Sequence, residues 1–289
     1  MRDTRRRESA RGVDGPAGVD DIATAQPTRR TLLRAAALST ALAASPALAQ
    51  PAVPRTYMLV HGAWHGGWCW AKVADRLRAA GHRVYTPTQT GLGERKHLLR
   101  ADISLDVFIT DLVNAIEAEE LNDVILVGHS FGGRPIAGVA DRAPQRLKRL
   151  VFLDAGLPDP GKSVFDGFPS SVRDARIKAA QDFRGGLSFP PPPAGSFGVT
   201  APDDVAWLER RMTPHPYGTY VTPMTLDHPI GNGVPCTYIR CIEPAYAVVD
   251  PSGAYAKSRA DWQYLEIKSG HDAMVIAPGP LSEMLLALA

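Results

Sequence analysis

The sequence predicts an α/β fold, a mostly parallel and doubly wound sheet with a helical lid inserted before the penultimate strand. Three observations lead there. Short apolar runs alternate with longer stretches of helical periodicity from Thr56 onward. The runs are apolar throughout rather than on every second residue, as strands covered on both faces require. The alternation then breaks for about 80 residues between Asp154 and Cys236 before resuming, and a connection of that length normally serves as a lid or binding element.

Tyr57-Met58-Leu59-Val60 is the first strand and stops at His61-Gly62. Helical spacing over 70–80 ends at Gly81, a residue suited to close a helix in the left-handed region. Residues 82–86 read as the second strand, closed by Pro87, and 105–120 as a long amphipathic helix. Val124-Ile125-Leu126-Val127 is a β-branched strand ending at Gly128, with helix continuing over 135–142. Leu150-Val151-Phe152-Leu153 is a further buried strand that ends at Asp154. After the interruption come strands over 236–240 and 262–267, then a last helix over 280–289. Within the lid, placed at about 156–233, helices are expected over 170–183 and from a capping-box pattern at Thr200 to Met212. Pro190 to Pro193 stiffen the segment between them, since each proline fixes φ.

Composition bounds the function. The chain has 289 residues, 45% hydrophobic and 21% charged, with a net charge of +2, which suits a globular protein and gives no reason to expect nucleic acid as partner. Three cysteines are too few for a disulfide scaffold, and Cys236 and Cys241 read as packed thiols on opposite faces of one strand. The charge is uneven: residues 1–49 hold eight basic and five acidic groups, a net of +3, which leaves −1 for residues 50–289. Arg29-Arg30 precede an apolar stretch that ends in Ala47-Leu48-Ala49. That is the pattern of a twin-arginine signal peptide cleaved before Gln50, implying export to the periplasm or medium. The stretch is too short to be a stable membrane anchor.

Gly128-His129-Ser130-Phe131-Gly132 is a G-x-S-x-G pattern set between a strand and a helix. A sharp strand-to-helix turn leaves no room for Cβ atoms beside the serine and presents its hydroxyl above the sheet edge. Ser130 needs a base, and His271 follows the last strand, whose loop opens at the same edge. His129 reads as structural, and His215 and His228, in the lid, are weaker candidates for the base. The backbone N–H groups after the first strand, with that of Phe131, are placed to hold a developing oxyanion. Three carboxylates at strand ends compete for His271: Glu243 is ranked first, with Asp154 and Asp250 as alternatives. His61 and His65 show H-x-x-x-H spacing without the glutamate a zinc hydrolase places there, so no metal is expected.

Together these residues carry a resemblance. Val60-His61-Gly62-Ala63-Trp64-His65-Gly66-Gly67-Trp68-Cys69-Trp70, Thr90-Gly91-Leu92-Gly93-Glu94-Arg95, Gly128-His129-Ser130-Phe131-Gly132-Gly133 and Gly270-His271-Asp272 resemble the α/β-hydrolase superfamily. The chain is similar to its small-esterase branch, with carbendazim-type carbamate hydrolases, plant methyl esterases and hydroxynitrile lyases. The resemblance implies Ser130 as nucleophile, His271 as base and the Ala63 and Phe131 amides as oxyanion hole. It implies hydrolysis of a small ester or carbamate without a cofactor, and says nothing of oligomeric state. The alternatives are cyanohydrin cleavage and a non-catalytic receptor for small molecules. The lyases carry a threonine two residues after the first strand and a lysine after the catalytic histidine, where this chain has Gly62 and Asp272. The family's usual acid is an aspartate after the penultimate strand, where this chain offers Glu243.

Overall fold

Six parallel strands organise the computed structural model, which describes residues 53–289; the signal peptide expected at 1–49 lies outside them. The strands of the sheet are β1 (Thr56–Val60), β2 (Arg83–Tyr85), β3 (Val124–His129), β4 (Leu147–Leu153), β7 (Cys236–Cys241) and β8 (Gln263–Ile267). They lie side by side in the order β2-β1-β3-β4-β7-β8. Every residue of β1, β3 and β7 is buried. Successive side chains point to opposite faces, so both faces of the central strands are covered, as their unbroken apolar runs predict.

The helices between strands are α1 (Ala71–Ala79), α2 (Leu105–Ala118), α3 (Gly133–Arg142), α7 (Asp250–Ser258), α8 (Ala273–Ile276) and α9 (Pro278–Ala287). Phe108, Ile109, Leu112 and Ile116 form the inward stripe of α2 at spacings of one, three and four. α2 packs on α3 and α1 packs on α9. The α2–α3 contact is close because Gly138 has no side chain: a Cβ there would stand 2.4 Å from Ile109 Cδ1. The last helix begins and ends two residues earlier than its sequence pattern suggests, since Pro278 already supplies the fixed φ of a first turn.

Between β4 and β7 the chain leaves the sheet and builds the lid. It contains α4 (Ser170–Arg184), the antiparallel two-residue strands β5 (Ser188–Phe189) and β6 (His215–Pro216), α5 (Pro202–Glu209) and the short α6 (Gly218–Val221). Ring contacts among Phe165, Phe189, Tyr217 and Tyr220 hold it together. The expected capping box does not form. Ala201 is the N-cap of α5 with no side-chain cap, because Pro202 starts the helix without needing a hydroxyl acceptor.

Strand register decides which residues meet at the sheet's C-terminal edge. Val60 pairs with Gly128, His129 with Leu153, and Leu153 with Ile239. His61, Ser130 and Asp154 therefore leave the sheet next to one another, with Arg240 beside them near the end of β7. All three cysteines are free and buried. Among the described residues, no helix is long and apolar enough to cross a membrane.

Candidate active site

Ser130 follows β3 with φ +54°, in the left-handed region that side chains rarely adopt. The flanking glycines are required by backbone, not by flexible neighbours. A Cβ on Gly128 would lie 2.6 Å from the Gly132 carbonyl oxygen, and one on Gly132 would lie 2.7 Å from that of His61. Strand, turn and helix are thus folded onto one another around a hydroxyl that has only one way to face. That hydroxyl donates to His271 Nε2 at 2.8 Å.

His271 Nδ1–H donates to Asp154 Oδ2 at 2.6 Å. This corrects the ranking of the acids. Glu243 is exposed in the loop after β7, and Asp250 at the start of α7 is turned to Arg240. Asp154 is fully buried at the end of β4, the strand beside the serine's own. Its second oxygen accepts from the Cys241 N–H at 3.1 Å and from the Arg240 guanidinium. The arginine on β7 offsets the cost of burying the carboxylate and fixes its orientation. The side chains of Tyr246 and Phe197 stack on the imidazole, with centroids 4.0 and 6.0 Å away.

The loop after β1 is held peptide by peptide. His61 Nδ1–H donates to the Gly62 carbonyl at 2.8 Å, while its Nε2 accepts from the Gln89 N–H. Carbonyl and N–H of a trans peptide point oppositely, so this bond aims the Ala63 N–H away from His61. His65 Nδ1–H donates to the Ala63 carbonyl at 2.7 Å and its Nε2–H to Asp272 at 3.1 Å. The Trp64 N–H donates to His215 Nδ1, and the Trp64 carbonyl accepts from the Thr213 N–H at 2.9 Å. Gly62 lets this loop approach the elbow: a Cβ there would stand 2.9 Å from Ser130 Cβ. Ala63 and Phe131, the expected oxyanion residues, line the same cavity as Ser130.

Burial sets the protonation of these histidines. It pushes His61 down to about 4, His129 down to about 3 and His215 well below the ordinary value. Burial also opposes a charge on His65, but the Asp272 carboxylate outweighs it and raises its pKa. Burial works the other way on Asp272, where the facing imidazoles prevail and hold it below the usual carboxylate range. His65 therefore forms a buried ion pair with the residue that follows His271. His129 is placed behind the site, its Nε2–H donating to the His271 carbonyl at 3.0 Å. His228 is far from this chemistry, against Asp141. The H-x-x-x-H spacing marks a real cluster, but it binds peptides and a carboxylate. No group of three or more metal-ligating residues exists among the described residues.

Sequence reasoning missed Arg240 and two arginines, Arg134 and Arg176, that line the cavity above Ser130, and it did not foresee that His215 would hold the Trp64 N–H or that Asp272 would pair with His65. That cavity is narrow, with a volume of about 60 Å³. The lid aromatics divide between two roles. Phe168 and Tyr220 line the cavity, whereas Phe183 is exposed and Trp207 packs edge-on against Trp68.

Comparison with known proteins agrees with this architecture. Residues 57–283 match the model of the Alpha/beta hydrolase family. The carbendazim hydrolyzing esterase of Nocardioides sp. (strain SG-4G) is 42% identical over 248 residues, covering 80% of this chain and 98% of that protein. Methylesterase 9 of Arabidopsis thaliana is 37% identical over 122 residues, which is 41% of this chain and 48% of that protein. Among solved structures, an extracellular alpha/beta-hydrolase from a Paenibacillus species aligns with TM-score 0.68 and 26% identity, over 81% of this chain and 98% of that one.

Proposed function

The chain belongs to the alpha/beta hydrolase family, and we propose that it hydrolyses a small carboxylic ester or carbamate through an acyl-enzyme. One observation carries this reading: the unbroken hydrogen-bonded line from Ser130 through His271 to Asp154. His271 Nε2 takes the hydroxyl proton as Ser130 Oγ attacks the carbonyl carbon. The oxyanion that forms accepts from the Ala63 and Phe131 amides, each such donor typically worth about 3 kcal/mol of barrier. The imidazolium is stabilised by Asp154 and returns its proton to the departing alcohol or amine. Water, deprotonated by the same nitrogen, then releases the acyl group. The 42% identical relative is named for hydrolysing carbendazim, which supports carbamates beside esters. Cyanohydrin cleavage asks for a cation beside the base to receive cyanide, and Asp272 presents a carboxylate there, already paired with His65.

Ser130→Ala is expected to lower kcat for 4-nitrophenyl acetate by about 10³-fold or more with an unchanged melting temperature. Undiminished turnover would overturn the mechanism, and tight binding without turnover by the intact protein would favour a receptor. We also propose export by the twin-arginine route, on the strength of Arg29-Arg30 and the Ala47-Leu48-Ala49 end. The mass of protein recovered from the periplasm or medium is expected to begin at Gln50; an uncleaved cytoplasmic product would refute it.

A further inference from the structure

The cavity above Ser130 is more cationic than its aromatic lid suggests. Two guanidinium groups line it, Arg134 from the first turn of α3 and Arg176 from α4 of the lid. Neither makes a hydrogen bond or ion pair with any described residue, although other basic groups, such as Lys72, Arg142 and Arg240, are paired with carboxylates. No carboxylate lines this cavity. In the adjoining cavity, which shares Arg134, the one carboxylate is Asp159, and Lys162 already holds it at 2.5 Å.

Arg134 stands at a place that disfavours a lone cation twice over. It is mostly buried, and burial works against its charge. It sits in the first turn of a helix, where the macrodipole is positive. Its guanidinium lies over the Phe131 ring, with Cζ 5.8 Å from the centroid, and leaves its N–H groups without an acceptor. The position is nonetheless built for it. A Cβ on Gly156 would lie 2.2 Å from Arg134 Nη1, so the glycine gives the guanidinium room where it stands, and the Gly156 N–H donates to the Ser130 carbonyl at 2.9 Å. Arg176 faces the same space from the lid, with its guanidinium 5.0 Å from the Phe168 ring. Tyr220 and Tyr246 complete the wall with phenols that burial keeps protonated, so they add donors and no competing negative charge.

We propose that Arg134 and Arg176 form a carboxylate-binding pair, and that the substrate is an ester carrying a free carboxylate a few atoms from the scissile bond. This deepens the serine-esterase reading and rests on it. A planar guanidinium matches a carboxylate with two parallel hydrogen bonds, and an anion entering here supplies the acceptors the protein withholds. The same pair bridges lid and core, so the ligand that satisfies it also draws α4 toward α3.

The test compares matched methyl esters by pH-stat at low salt. Monomethyl glutarate is set against methyl pentanoate, placing the charge on the acyl side, and acetoxyacetate against ethyl acetate, placing it on the alcohol side. We expect one charged ester to exceed its neutral partner in kcat/KM by roughly 10- to 100-fold. Arg134→Gln and Arg176→Gln should each collapse that ratio toward one, and Arg134→Lys should restore part of it. A melting curve identifies any variant that fails to fold, and Arg176, on the lid, gives an independent arm. Turnover of the neutral esters with no charged preference in either pair would overturn the inference and leave the esterase standing. If no ester is turned over, the esterase reading falls, and calorimetric titration of glutarate into Ser130→Ala still decides the pair. Binding that weakens tenfold or more in a Ser130→Ala, Arg134→Gln double variant supports it; no binding overturns it.

Discussion

Asp154 leaves β4 with φ +41°, a left-handed conformation that an aspartate tolerates better than most residues. That turn brings its carboxylate between Arg240 and His271 rather than along the strand. Glu243 stands where the family pattern places an acid, yet it is exposed and makes no contact with His271. The residue type was legible in the sequence; the partner was not, because three carboxylates ended plausible strands and only the sheet order discriminates among them. Asp154→Asn is expected to lower kcat by about 10²- to 10⁴-fold, since the imidazole loses both its orientation and its stabilising charge. Glu243→Gln is expected to stay within about twofold of the wild type. Steady-state kinetics decide, and the reverse pattern would reinstate Glu243.

At the level of elements, the loop between β1 and the helix that follows it is the part most dependent on distant support. Its peptides are held from within by His61 and His65, and from the lid by β6 through His215 and by Thr213. The two local histidines announced themselves by their spacing, though as an unlikely metal motif. His215 stood out only as a weaker candidate for the base, and its contact had no local signal, because its bond to Trp64 spans 151 residues and depends on the lid folding back over the sheet. With Nδ1 accepting from Trp64, the proton lies on Nε2 and is donated to Thr219 Oγ1 at 2.9 Å. His215→Ala removes that acceptor and strands a buried N–H, at a cost of about 1–3 kcal/mol in stability. The displaced loop also moves the Ala63 amide, so kcat is expected to fall about tenfold while KM changes less. An unaltered kcat in a protein that melts lower would make His215 a packing residue only.

For the whole molecule, the pair His65–Asp272 joins the loop after the first strand to the loop after the last, 207 residues apart. Both partners are buried, so removing one strands a charge and costs about 3–5 kcal/mol. The raised pKa of His65 means its contribution is full below its ordinary 6.5 and fades as pH rises through the higher folded value. The depressed pKa of Asp272 means its contribution is full above 3.8 and fades as pH falls through the lower folded value. The stability gap between wild type and Asp272→Asn should therefore be widest between about pH 4 and 6.5 and narrow on either side. Urea unfolding across pH measures it, and a gap that stays flat from pH 3 to 9 would deny the ion pair. The amino-acid sequence by itself determined the sheet, the elbow serine and the histidine hydrogen-bonded to it. Those rest on local signals: apolar runs, glycines at a tight turn, and a histidine after a strand. The tertiary structure alone decided which acid meets His271, how the lid clamps the Ala63 loop, and that two arginines share the cavity. Each of those depends on residues 42 to 151 apart being brought together by strand order and lid packing, and no local pattern encodes a neighbour at that distance.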